Sequence, residues 1–213
     1  MEISFRYSVQ LELKAEKQQS IEILNEEQMF HKSDIIDEIK KDHRDVEDYY
    51  NKYKTAKDME EAKKWFNQFL WALCCHSVAE EIIMYNMLES INPKGKELAM
   101  KSREDHRELK EMLENLRKEK DEVEFERKFD ALFKTLQEHV HMEEVEDLVF
   151  LQEHVSLEKR QVAAKMFLMK KHLVPTKPHP WIPDKPTAIE LGLGLLVTPI
   201  DKLNDMFKKF PKL

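Results

Sequence analysis

The chain has 213 residues, 41% of them hydrophobic and 36% charged, enough apolar material for one ordinary folded domain with something left over. With 35 Lys and Arg against 42 Asp and Glu, the net charge of -7 argues against a surface that tracks nucleic acid or anionic membrane. Three glycines exclude Gly-rich phosphate loops, a dinucleotide fingerprint and most hairpin-rich β architectures, which leaves an all-α chain.

Residues 1–32 read as an N-terminal extension without a definite assignment. MEISFRYSVQLEL alternates weakly like a strand, KAEKQQSIEILNEEQMF looks helical, and the start lacks the basic and apolar blocks of a signal peptide. A first helix is predicted from Asp34 to Tyr53, capped by Ser33, with Ile36, Ile39, His43, Val46 and Tyr50 inward. A second runs from Asp58, in a D-x-x-E variant of the capping box with Glu61, to about Glu89. Its stripe is Trp65, Phe69, Leu73, His76, Glu80, Ile83 and Met87. Asn92-Pro-Lys-Gly makes the turn into a third helix, Lys94 to Lys118, with Ala99, Ser102, His106, Leu109, Leu113 and Leu116 at helical spacing. A fourth, Glu122 to Glu153, presents Phe125, Phe129, Leu132, Leu136, His139 and Glu143.

Four long helices joined by short turns predict an up-down-up-down bundle. A fifth helix, Leu157 to Lys171, is expected to pack through Val162, Ala163, Met166 and Met169 and completes a domain over 33–172. Seven of the eight prolines fall from Pro175 onward, so 173–213 reads as a Pro-rich strap and an amphipathic helix over 198–210 that is expected to dock on the bundle, the alternative being a partner or a membrane surface. Cys74 and Cys75 are neighbours and read as small buried hydrophobes; no run is long and apolar enough to span a bilayer, and a cytoplasmic location is expected.

Four of the nine histidines fall one per helix inside apolar stripes: His43, His76, His106 and His139. Two of them are followed four residues later by Glu80 and Glu143, which share the histidine's helix face. One such pair is an ordinary hydrogen bond. Two of them buried with four imidazoles are costly unless a cation lies between them. Imidazole with carboxylate suits iron, manganese or zinc. Four imidazoles and two bridging carboxylates fill about eight of about twelve positions on two octahedral ions; an oxygen bridge takes about two more and leaves about two open. His31, His154, His172 and His179 lie outside the stripes and are read as surface or tail residues, while Met84, Met87, Met112, Met166 and Met169 are read as core filling.

His43 in KKDHRDVE, His76 with Glu80, His106 in REDHREL and His139 with Glu143 together resemble the pattern of the hemerythrin-like cation-binding domain over about residues 34–155. The resemblance implies a four-helix bundle with two non-haem iron ions, oxo- or hydroxo-bridged, the four histidines as terminal ligands and Glu80 and Glu143 as bridges. The segment TAIELGLGLLVTPIDKLNDMFKKFP is similar to the C-terminal region of fungal members. Oxygen carriers of the family use a fifth histidine on the third helix, where this chain offers Ser102 or Lys110, and an Asp five residues after the helix-four histidine, where it has Glu144. The departures point away from reversible oxygen carriage. Glu81, beside Glu80, either supplements the site or faces solvent, and because it lies about 100° around the helix solvent is expected.

Three functions compete at this point: a protein that senses, stores or transiently binds iron, oxygen or a related diatomic; a redox enzyme consuming peroxide or nitric oxide; and a structural bundle with a vestigial or different metal site. Ferritin-like oxidases use two Glu-x-x-His motifs, and the lone Glu138 to His141 spacing does not supply them.

Overall fold

The computed structural model describes residues 33–171 and 209–211, and among these every regular element is helical. In chain order they are α1 (Ile35–Lys54), α2 (Met59–Ile82), α3 (Met84–Ile91), α4 (Pro93–Lys118), α5 (Glu122–Met142), a π-helical turn (Glu143–Asp147), α6 (Leu148–His154) and α7 (Leu157–Lys171). The bundle expected from sequence is present, but two of its four arms are interrupted. The second breaks at Ile83 between α2 and α3, and the fourth passes through the π turn between α5 and α6. The N-terminal extension and most of the tail lie outside the described residues. Of the helix expected over 198–210 only Lys209 and Phe210 are described, and they are not helical.

Local chemistry sets the helix ends. Asp34, one residue after the expected Ser33, caps α1 by accepting from Ile36 N at 3.1 Å. Asp58 accepts from Glu61 N at 2.8 Å, while Glu61 reaches back to Lys57 N at 3.0 Å. At the Pro93 turn, Asn92 accepts from both Lys94 N and Gly95 N. Gly95 is required here by close packing, because a Cβ would come within 2.2 Å of the Leu88 carbonyl oxygen.

Two apolar layers fill the bundle. At one end Ile35, Ile39, Ile83, Met84, Leu88, Leu98, Leu148, Leu151 and Phe167 form an aliphatic layer. At the other, Phe129 is ringed by Tyr50, Tyr53, Phe66 and Phe69 with centroids 4.9–5.3 Å away, all close to edge-on. Each fully buried Leu, Ile or Phe contributes about 2 kcal/mol of transfer free energy, so these layers hold the arms together. They also enclose a polar belt at mid-height.

The fifth helix is present but rotated from the sequence expectation. Arg160, Ala163, Ala164 and Phe167 are buried, whereas Val162, Met166 and Met169 are about half exposed or more. Charged residues decide the rotation: Arg160 pairs with Asp34 at 2.8 Å and Lys171 with Asp42 at 2.6 Å, so the ends of the inner face are anchored by ion pairs. Met166 and Met169 are thus surface residues rather than core filling. The described end of the tail lies on α2, where Asn67 donates to the Lys209 carbonyl at 3.0 Å and Lys209 Nζ lies 3.1 Å from Glu60.

Candidate metal centre

Between the two layers, His43, His76, Glu80, His106, His139 and Glu143 are all buried and brought together. The imidazoles form two pairs. His43 of α1 and His76 of α2 have ring centroids 4.9 Å apart; His106 of α4 and His139 of α5 are 4.7 Å apart, with Nε2 atoms separated by 3.1 Å. Both glutamates reach across to both pairs. Glu80 lies 3.1 Å from His76 Nε2, 3.9 Å from His43 Nε2 and 3.5 Å from His106 Nε2. Glu143 lies 3.2 Å from His43 Nε2 and 3.8 Å from His139 Nε2.

Each histidine turns Nε2 inward and gives Nδ1 to a carboxylate. The contacts are His43 with Glu144 at 2.9 Å, His76 with Asp42 at 3.3 Å, His106 with Glu81 at 3.0 Å and, longest, His139 with Asp105 at 3.5 Å. This partner assigns the proton to Nδ1 and leaves the Nε2 lone pair facing the centre. The four carboxylates form a closed ring around the bundle, each backing the histidine of the next arm. Three are held by cations in turn: Glu144 by Arg44 at 2.8 Å, Asp42 by Lys171 and Glu81 by Lys110 at 2.8 Å.

Glu81 therefore does not face solvent as the sequence suggested; it is 2% exposed. An arm that packs against two neighbours buries an arc broader than one stripe, and a residue 100° from Glu80 still meets α4. Ser102 and Lys110 do not point donors at the centre. Ser102 donates to Asp147 at 2.6 Å and Lys110 to Glu81.

Several inner atoms have no hydrogen-bond partner although they are buried: His43 Nε2, both oxygens of Glu80 and Glu143 Oε2. Orphaned buried acceptors are expensive, and four converging on one volume match what a cation needs. One donor atom each from His43, His76, Glu80 and Glu143 lies within 4.8 Å of the others. The 3.1 Å between the inner nitrogens of His106 and His139 is about the spacing of two nitrogens at right angles on one ion.

Metal-free electrostatics shows the same need. Burial raises the Glu80 carboxyl well above its usual range, with Glu143 and Asp42 adding to it. Burial also raises Glu143, but the adjacent His43 and His139 outweigh it and bring it down to about 2. Without a cation, negative charge is therefore held far less readily on Glu80 than on Glu143. Burial depresses His106 well below its usual value, and His139 depresses it further.

Three groups at the site were not read from the sequence as parts of it. Asp42 and Asp105 each precede a histidine, so adjacency was their signal. Tyr85, fully buried on α3, lies with its hydroxyl 3.0 Å from His106 Nε2 and 3.4 Å from Glu143 Oε1, and burial raises its phenol well above the usual value. It comes four residues after Glu81 and, like it, lies off the expected stripe of its arm.

A cavity of about 270 Å³ opens beside the first imidazole pair, between α1 and α5. His43, His76 and Glu144 form its floor, Leu73, Phe133 and Leu136 its apolar wall, and exposed Arg44, Gln137 and His141 carry it to the surface.

The family model for the hemerythrin HHE cation-binding domain matches residues 34–151. The chain belongs to this family. An uncharacterized hemerythrin-like protein of Schizosaccharomyces pombe is 42% identical over 179 residues, covering 83% of this chain and 88% of the relative. No solved structure matches the chain. Among the described residues of this hemerythrin-like protein, no helix is long and apolar enough to cross a membrane.

Proposed function

We propose that this hemerythrin-like chain holds two iron ions, with His43 and His76 on one, His106 and His139 on the other, and Glu80 and Glu143 spanning both. The carrying observation is the set of four inward Nε2 atoms, each backed by a carboxylate on Nδ1, around carboxylate oxygens with no other partner. When bound, a ferrous pair supplies electrons to a small oxidising ligand. The protein supplies the rest: it fixes the histidine tautomers, bounds the site above and below with two apolar layers, and admits a ligand through the cavity against His43 and His76. Its function is to sense, store or transiently bind iron, oxygen or a related diatomic.

The cavity favours a second reading as a redox enzyme acting on peroxide or nitric oxide, because about 270 Å³ far exceeds one diatomic, and Gln137 and His141 offer polar groups beside the entry. Anaerobic purification with metal analysis tests the site; about two irons per chain are expected. Rapid mixing of the reduced protein with oxygen, then with peroxide or nitric oxide, separates the readings. Quick one-way oxidation by oxygen fits a sensor or iron handler, many turnovers with peroxide or nitric oxide indicate the enzyme, and many reversible oxygenation cycles would overturn both.

A further inference from the structure

The two imidazole pairs are unequal, and the second has an oxygen donor that the first lacks. Tyr85 Oη lies 3.0 Å from His106 Nε2 and 3.4 Å from Glu143 Oε1. His139 Nε2 and Glu80 Oε2 lie 3.1 and 3.5 Å from the same His106 nitrogen. Donors sharing one ion at about 2.1 Å stand about 3 Å apart when they are at right angles, and the Tyr85 oxygen falls within that range of its neighbours.

The tyrosine is held there. The helix break at Ile83 separates α2 from α3, and the two carbonyls just before it are taken by side chains: Ile82 O by Asn86 Nδ2 at 2.6 Å and Glu81 O by Arg103 at 3.1 Å. Arg103 also bonds Asn86 Oδ1 and Glu89, and its guanidinium lies 5.3 Å from the centroid of the Tyr85 ring. The ring is fully buried beneath it. Ser102 and Lys110 are both engaged elsewhere, so no third imidazole comes to this side from α4.

We propose that Tyr85 is a phenolate ligand of the metal ion held by His106 and His139, in the role that a third imidazole would otherwise fill. The inference rests on the di-iron reading above. As the oxygen–metal bond forms the phenol O–H breaks, and its proton leaves to solvent; no electron changes hands. A hard anionic oxygen favours the ferric over the ferrous ion, which lowers the reduction potential of this side of the centre.

The test uses the full chain loaded anaerobically with ferrous iron and then oxidised in air, with the iron content measured before oxidation. The oxidised wild-type protein is expected to show a visible phenolate-to-iron charge-transfer band whose resonance Raman spectrum contains tyrosinate ring modes. Tyr85→Phe removes one oxygen and keeps the ring; it should bind iron within about two-fold of wild type, lose the band and the ring modes completely, and show a higher reduction potential. Two irons without tyrosinate modes in the wild type, or modes that persist in Tyr85→Phe, overturn the Tyr85 assignment and leave the di-iron reading standing. A wild-type chain that takes up no iron overturns both. Because the wild-type spectrum alone can refute the assignment, the folding of the variant does not decide the matter.

Discussion

The first imidazole pair, His43 with His76, looks onto a cavity, and its backing carboxylates are held by Arg44, which is 57% exposed at its side chain, and by Lys171 at the end of α7. In the second pair, His106 with His139, Tyr85 and the Arg103 clamp cover His106. One bundle thus presents nearly identical donors in two settings, one beside a cavity and one beneath a fully buried tyrosine. The difference teaches that access is set by what lies behind the histidines and not by the histidines: α1 and α5 part beside His43, whereas α3 fills the equivalent space beside His106.

The largest expected effect breaks both sides together. A combined His43, His76, His106 and His139 to alanine variant should lose its iron, read by metal analysis, and stoichiometric metal in that variant would place the site elsewhere. Single variants sharpen the comparison. His76→Ala and His139→Ala should each lose much of the metal, but added imidazole should restore it only in His76→Ala, whose vacated space joins the cavity. Equal rescue of both would show that the cavity gives the first side no advantage in access. Val140→Trp, which fills the cavity wall, should slow the reaction of the reduced protein with peroxide by about ten-fold or more at unchanged iron content.

A smaller effect concerns the metal-free chain. Burial lifts the Asp147 carboxyl from 3.8 to about 6 despite the Ser102 hydrogen bond. The folded state therefore holds this proton more tightly than the unfolded one, and the associated stability is present below about pH 4 and lost as pH rises through about 6. Asp147→Asn should accordingly raise the unfolding free energy read from urea titration at pH 7.5, by about 3 kcal/mol at most, and change it little at pH 4. A gain that is larger at pH 4 would reverse the sign of this account. The smallest effect is expected at Arg44, whose exposed pairing with Glu144 is screened by salt; Arg44→Ala should weaken metal binding no more than a few-fold, and less at high ionic strength.

The four histidines and two glutamates were legible because helical spacing alone carries them: one histidine per arm within an apolar stripe, and two carboxylates four residues on. The ring of backing carboxylates was written in the sequence as well, in Asp42-His43, Glu80-Glu81, Asp105-His106 and Glu143-Glu144, but its meaning was not. A residue next to one of these six points about 100° away, and whether that direction is solvent or another arm depends on arm order and rotation, which periodicity does not encode. Tyr85 was hidden for a related reason, since the break at Ile83 lacks a proline or glycine to announce it. The π turn, with Glu143 and Asp147 both buried, is equally silent. The α7 stripe misled because apolar residues were assumed to face inward, whereas Arg160 and Lys171 fix the helix through charge.

Lys171 gives α7 a thermodynamic connection to the centre. Its ammonium holds Asp42, Asp42 holds His76, and Phe167, one turn earlier, packs 6.2 Å from the His76 ring. By reciprocity, whatever factor the seated helix adds to metal affinity, the bound metal must add to the seating of the helix. The metal-free chain should therefore exchange the backbone amides of α7 with solvent faster than the same chain loaded with metal. Any force that peels α7 away, from the polypeptide that follows it or from another molecule, would be felt at the centre as a weaker grip on the ion beside the cavity.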